Sequence, residues 1–245
     1  VKLESIEVLG RACHVIRPVR PTGDVVIVLH GSRQSGKVIR RFSAEGFDDL
    51  AKAGWAVCYP DGVARHWNDD RVHLREKTRD QGTDDLQFLK AVFASQQAKR
   101  CFAVGFSNGG IMTLSLLYRA PGLLSGAALL SAPHPAEENW RCWDAQSEWV
   151  PTPLLCQHGL EDPIVAFEGG KAGMPGQDRG ELMGFWDSCA LLSRLNGSGA
   201  SLEALALAGQ GHVIPTPNPV RSPLLGPASG KHDVPQAVRR FFLSL

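Results

Sequence analysis

Three residues of this chain have the types and the order needed to break an acyl bond. Ser107 lies in Gly105-Phe-Ser-Asn-Gly109, Asp162 in Gly159-Leu-Glu-Asp-Pro163, and His212 in Gly209-Gln-Gly-His212. A serine hydroxyl attacks poorly until a base removes its proton, and an imidazole base needs a carboxylate to fix its tautomer and stabilise the imidazolium. The reaction also needs donors aimed at the developing oxyanion, since loss of one costs about 3 to 4 kcal/mol of transition-state stabilisation. The backbone N–H of Asn108, directly after the serine, is one expected donor. The N–H of Ser32, in His30-Gly31-Ser32, is the other.

Each of these residues follows an apolar run that reads as a strand. Cys101–Phe106 precedes Ser107, and Asn108–Tyr118 continues as a helix; Leu154–Gln157 precedes Asp162, and Leu202–Ala206 precedes His212. All three therefore belong at the carboxyl ends of strands, the edge where open α/β sheets bind ligands. Glu161 is the nearest rival acid, but the turn ending in Pro163 favours Asp162. His232 is the rival base, though it stands just before Asp233, which can cap the closing helix Val234–Leu243. Asp144, Asp178 and Asp187 fall in an excursion, a loop and a helix. His14 and His73 read as structural or exposed.

The rest of the chain supplies a scaffold for such a sheet. Glu4–Val8 and Arg11–Arg17 meet at Gly10 as an antiparallel hairpin, and Asp24–Leu29 is continuously apolar and β-branched, as a strand buried on both faces must be. Helical periodicity follows over Ile39–Lys52, then a strand over Trp55–Tyr59, a helix over Thr83–Ala94, a strand over Ala127–Leu130 and a helix over Glu181–Leu195. This alternation predicts an α/β fold: a mostly parallel central sheet with helices on both faces and an N-terminal antiparallel hairpin. No repeat or linker interrupts it, so residues 1–245 are expected to form one domain.

Composition narrows the classes of function. The 26 Lys and Arg nearly balance 25 Asp and Glu, which leaves no basic surplus for nucleic acid. The longest apolar runs, such as Val25–Leu29 and Gly126–Leu130, are too short to span a bilayer. No basic segment followed by an apolar one opens the sequence at Val1, which suggests a cytoplasmic protein. The six cysteines lack metal-ligand spacing, and Cys58, Cys101 and Cys156 lie in strand-like apolar runs, where a reduced thiol acts as a small hydrophobe. No metal or cofactor is expected.

Two other features bear on function. Gly31-Ser-Arg-Gln-Ser-Gly36-Lys37 fits seven positions of a phosphate-cradling loop, but the eighth is Val38, which has no hydroxyl to hold magnesium. Three connections are longer than such folds require: 132–152, with Trp140, Trp143 and Trp149; 164–180, rich in glycine; and 213–232, with five prolines. Each could wall a pocket or simply pack.

Together these blocks resemble the esterase family that includes polyhydroxybutyrate depolymerases and feruloyl esterases. The resemblance rests on Leu29-His30-Gly31-Ser32 with Gln34, Tyr59-Pro60-Asp61-Gly62, Trp67-Asn68-Asp69, Asp84-Asp85, Gly105–Gly110, His158-Gly159 with Asp162-Pro163, Asn196-Gly197 and Gly211-His212. It implies an α/β-hydrolase fold, a Ser107–Asp162–His212 triad and cofactor-free hydrolysis of carboxylic esters. It also suggests that the loop carrying Trp67 and Asn68 borders the substrate pocket; His30 in the loop after Leu29 and Trp140 in the tryptophan-rich connection are further candidates for its wall. Val213-Ile214-Pro215 departs from the aromatic residue and proline that commonly follow the family's histidine, so a small soluble ester of a short or aromatic acid is expected more than a polymer, with hydroxyalkanoate oligomers an alternative. The same triad would serve an acyltransferase or a peptidase, and a hydrolase fold can also persist as a non-catalytic binding protein.

Overall fold

The computed structural model describes residues 2–173 and 177–245; residue 1 and residues 174–176, within the glycine-rich connection, lie outside them. The chain opens with β1 (Leu3–Val8) and β2 (Arg11–Ile16), antiparallel partners joined by a tight turn at Leu9 and Gly10. It continues through β3 (Asp24–Leu29), α1 (Gly36–Phe42), β4 (Ala56–Pro60), α2 (Lys77–Asp80), α3 (Asp85–Ser95), β5 (Arg100–Phe106), α4 (Asn108–Arg119), β6 (Gly126–Leu130) and β7 (Leu154–Gly159). After the short pair β8 (Gly170–Lys171) and β9 (Glu181–Leu182) come α5 (Phe185–Asn196), β10 (Leu202–Leu207) and α6 (Val234–Leu243).

One eight-stranded sheet runs β1-β2-β4-β3-β5-β6-β7-β10. From β4 to β10 every neighbouring pair is parallel, and β2 meets β4 antiparallel. Alternation along β3 explains how both faces are covered. Val25, Ile27 and Leu29 pack with residues of α3, α4 and α5, whereas Val26 and Val28 pack with α1 and α6. A strand buried on both sides must be apolar throughout, which is why β3 has no polar residue after Asp24.

The helix expected over 39–52 is two elements. Ala44 and Glu45 take left-handed backbone (φ 52° and 59°), which ends α1 and restarts the chain as a tighter 3₁₀ turn over Gly46–Ala53. The helix expected from 181 begins at Phe185, because Glu181 and Leu182 pair with Gly170 and Lys171. Asp233 caps α6 by accepting from the Gln236 N–H at 3.0 Å, a structural use of the segment that holds His232. All six cysteines are free thiols, and no helix among the described residues is long and apolar enough to cross a membrane.

Candidate active site

The turn between β5 and α4 places Ser107 in a strained conformation, φ 55° and ψ −120°. Such backbone costs about 1–3 kcal/mol and persists only where its surroundings hold it. Here the Ser107 N–H donates to Leu130 O at 2.9 Å, and Ser107 O accepts from the Ile111 N–H at 3.0 Å. Gly109 allows α4 to start against β3: a Cβ at this position would lie 2.3 Å from Leu29 O. The result lifts the serine hydroxyl above the sheet edge.

The structure brings the three predicted residues together. Ser107 Oγ lies 2.9 Å from His212 Nε2, and His212 Nδ1 lies 2.7 Å from Asp162 Oδ2. Asp162 is buried, which by itself would push its carboxyl up. The His212 charge and hydrogen bond outweigh this, with help from the Val165 N–H, and hold the carboxyl below its ordinary value. With Asp162 ionised, His212 keeps its proton on Nδ1, and Nε2 is free to accept the serine proton. The other carboxylate oxygen, Oδ1, accepts the N–H groups of Ile164 (2.9 Å) and Val165 (2.8 Å), which fixes the acid's rotamer. His158, buried beneath, donates from Nε2 to Val165 O at 2.9 Å and braces the same turn.

His212 is held by the proline-rich segment. Its backbone N–H donates to Leu225 O at 2.6 Å, and the preceding Gly211 N–H donates to Pro227 O at 2.7 Å. Phe106 packs against the imidazole with ring centroids 4.9 Å apart. The long connection after β10 is thus a buttress for the histidine rather than decoration.

In the loop after β3, three N–H groups of Gly31–Gln34 are already used. Gly31 donates to Gln34 Oε1 (3.0 Å), Arg33 to Arg65 O (2.9 Å) and Gln34 to Gly31 O (3.2 Å). The N–H of Ser32 donates to no acceptor among the described residues, nor does that of Asn108 at the start of α4. Ser32 and Asn108 line one cavity together with Ser107 and His212. Its volume is about 160 Å³, and Phe42, Phe106, Ile164, Val165 and Leu225 supply apolar wall. Asp61 Oδ1 accepts from the Gly36 N–H at 2.6 Å, so a carboxylate occupies a donor that a phosphate-cradling loop would turn toward its ligand.

The four residues expected to border the pocket do not line this cavity. His30 is fully buried and joins two loops: Nδ1 donates to Gly31 O at 2.8 Å, and Nε2 accepts from the Gly62 N–H at 2.9 Å. Burial pushes its pKa down to about 4, so it is a neutral strut. Trp67 is also fully buried, its indole N–H donating to His30 O at 2.9 Å. Asn68 is a staple, donating from Nδ2 to Thr83 O at 2.8 Å while its backbone N–H donates to Asp85 Oδ2 at 2.7 Å. Trp140 packs edge-on against Tyr118 and His134 in the core. Large aromatic side chains bury more apolar area inside than along an open wall, and these do so.

Residues that the sequence did not single out complete the site. Arg71 and Arg179, 5% and 6% exposed, line the cavity with Gln177, and they meet there Gln34 and the exposed Arg33 of the loop already marked in the sequence. No spacing rule joins positions 71 and 179. Only the fold brings them together.

Comparison with known proteins finds esterases by sequence and by structure. A family model described as phospholipase/carboxylesterase matches residues 75–175. A protein named "Putative esterase NocK" from Nocardia uniformis subsp. tsuyamanensis is 31% identical over 164 residues, which are 62% of this chain and 44% of that protein. The chain thus spans less than half the length of that relative. Carboxylesterase SOBER1 of Arabidopsis thaliana is 26% identical over 169 residues, covering 61% of this chain and 74% of its own. Among solved structures, a carboxylesterase from Mesorhizobium loti superposes with a TM-score of 0.62 at 15% identity over the whole of both chains. The carboxylesterase of Bacillus cereus gives 0.61 at 15%, covering 97% of this chain and 96% of that one. The chain has the α/β-hydrolase fold, and the matched relatives support a carboxylic ester hydrolase.

Proposed function

We propose that the protein hydrolyses carboxylic esters through an acyl-enzyme on Ser107, the chain acting as one catalytic unit. The observation that carries this reading is the unbroken chain of hydrogen bonds from Ser107 Oγ through His212 to Asp162, at 2.9 and 2.7 Å. Ser107 Oγ attacks the ester carbonyl as His212 Nε2 takes its proton, and Asp162 stabilises the imidazolium so formed. The N–H groups of Ser32 and Asn108 receive the oxyanion. His212 then protonates the departing alcohol. Water, activated by the same imidazole, attacks the acyl-serine and restores the enzyme.

The cavity size supports a small acyl group. Its volume of about 160 Å³ is close to the roughly 150 Å³ of a cavity that holds a benzene ring. A short-chain or single-ring acid fits this space, consistent with the resemblance to feruloyl esterases and polyhydroxybutyrate depolymerases. Turnover of p-nitrophenyl acetate by the wild-type protein and by Ser107→Ala tests the assignment. Loss of turnover and of fluorophosphonate labelling in the variant is expected; equal rates would overturn it.

A further inference from the structure

We propose that the cavity over Ser107 is built for an ester that carries a carboxylate on its acyl or alcohol part, received by Arg71 and Arg179. This deepens the ester-hydrolase reading and rests on it. Among the described residues lining the cavity, three are arginines (Arg33, Arg71 and Arg179) and none is acidic. A neutral ester has no need of such a lining.

The charges behind the wall do not cancel. Arg71 forks onto Asp69, with Nε to Oδ1 at 3.0 Å and Nη2 to Oδ2 at 2.6 Å. Arg179 pairs through Nη2 with Glu76. Among the described residues Arg79 donates to neutral acceptors: Asn68 Oδ1 at 2.5 Å, Arg71 O at 3.2 Å, and Asp69 O. Three guanidinium groups thus face two carboxylates, which leaves one positive charge in surplus. The neighbouring Asp70 is matched by Arg119 at 3.6 Å. Among the described residues, Arg179 Nη1 is buried with no hydrogen-bond partner, and an unsatisfied buried donor on a charged group is costly until an acceptor arrives. Burial pushes the Arg179 guanidinium below its ordinary value, and nearby Arg71 adds to this against the pull of Glu76.

The placement of the two arginines is enforced. Asn139, fully buried in the tryptophan-rich excursion, donates from Nδ2 to Arg179 O and to Glu181 O, each at 3.0 Å. Its Oδ1 accepts from the His73 N–H at 3.2 Å, and its backbone O accepts from the Val72 N–H at 3.0 Å. One side chain therefore ties the segment of Arg71 to the segment of Arg179, 108 residues on. Asn139 is a positioning residue for the pair. A planar fork of donors matches the two oxygens of a carboxylate, and apolar walls on the other side of the cavity strengthen the attraction.

The test compares matched esters by kcat/KM: monomethyl glutarate against methyl pentanoate for the acyl side, and 4-acetoxybenzoate against 4-acetoxybenzamide for the alcohol side. In at least one series the anionic ester is expected to exceed its neutral partner by about tenfold or more, the usual weight of a charge-assisted hydrogen bond. Arg179→Gln should lower that ratio about tenfold. Glu76→Gln, which removes a counter-charge, should raise it. Should Arg179→Gln fail to fold, the wild-type ratios alone decide. Equal rates within both series, with neutral esters turned over, overturn the carboxylate proposal and leave the esterase reading intact. If no ester is cleaved and fluorophosphonate does not label Ser107, the esterase reading fails instead. Calorimetry of glutarate binding to wild type and Arg179→Gln then decides the anion site separately, since absence of binding to wild type overturns it.

Discussion

Asn108 donates from Nδ2 to Asp69 Oδ2 at 2.7 Å, the same oxygen that Arg71 Nη2 holds at 2.6 Å. The residue after the nucleophile is thereby locked to the arginine that lines the cavity. The Asn108 side chain also accepts from the Trp67 N–H at 2.8 Å and donates to Trp67 O at 3.1 Å. Asn108→Ala leaves the buried Trp67 N–H without an acceptor, an expected loss of about 1–3 kcal/mol. Urea denaturation should show that loss, and kcat should fall with it because the Asn108 N–H is no longer held in place.

Asp162→Asn separates chemistry from folding. An asparagine oxygen in place of Oδ1 can still accept the Ile164 and Val165 N–H groups, so the turn should keep its shape. Its amide, however, can present a donor to His212 and reverse the tautomer. We expect kcat for p-nitrophenyl acetate to drop by roughly 10³–10⁴ with little change in melting temperature. A full loss of folded protein would contradict the local account.

Gly109→Ala tests the packing of the elbow. The new Cβ would sit 2.3 Å from the Leu29 carbonyl oxygen, which belongs to backbone and cannot rotate away. Either α4 or the end of β3 must shift. We expect destabilisation of about 1–3 kcal/mol together with a large fall in kcat, measured by thermal melting and steady-state kinetics on the same preparation.

Two buried imidazoles predict acid sensitivity. His30 and His134 are each pushed down to about 4 by burial, against an ordinary 6.5. The His134 ring is engaged on both sides, with Nδ1 donating to Pro135 O at 2.6 Å and Nε2 accepting from the Tyr118 hydroxyl at 2.9 Å. Between pH 6.5 and 4 the unfolded chain binds protons that the folded chain refuses, so stability falls as pH falls through that window. The two together remove about 2 kcal/mol between pH 6.5 and 5.5. Urea midpoints at those two pH values measure it; identical midpoints would contradict neutral burial.

The sheet and the three positions proposed to react are legible because each depends on local pattern. Ser107, Asp162 and His212 all follow apolar runs of strand length, and a parallel sheet puts the ends of such runs on one edge. The lining of the cavity follows no such rule. Trp67 and Trp140 drew attention as large aromatics in loops, yet the fold turns both inward, Trp67 to cap the His30 carbonyl and Trp140 to join Tyr118 and His134. Arg71 and Arg179 stand in no motif or periodic pattern of the sequence. Their burial depends on Asn139 joining two distant segments, and no window of sequence contains that contact.

On the proposed mechanism, the order of strands also fixes when this protein acquires its activity. Ser107 and His212 are 105 residues apart, and Asp162 and His212 are 50 apart. Of the three, only the histidine hangs from β10, the outermost strand beyond β7. A folding chain that has paired β3, β5, β6 and β7 holds a nucleophile and a carboxylate but no base. Recovery of ester turnover after dilution from denaturant therefore cannot precede the docking of β10, and activity becomes a clock for that step.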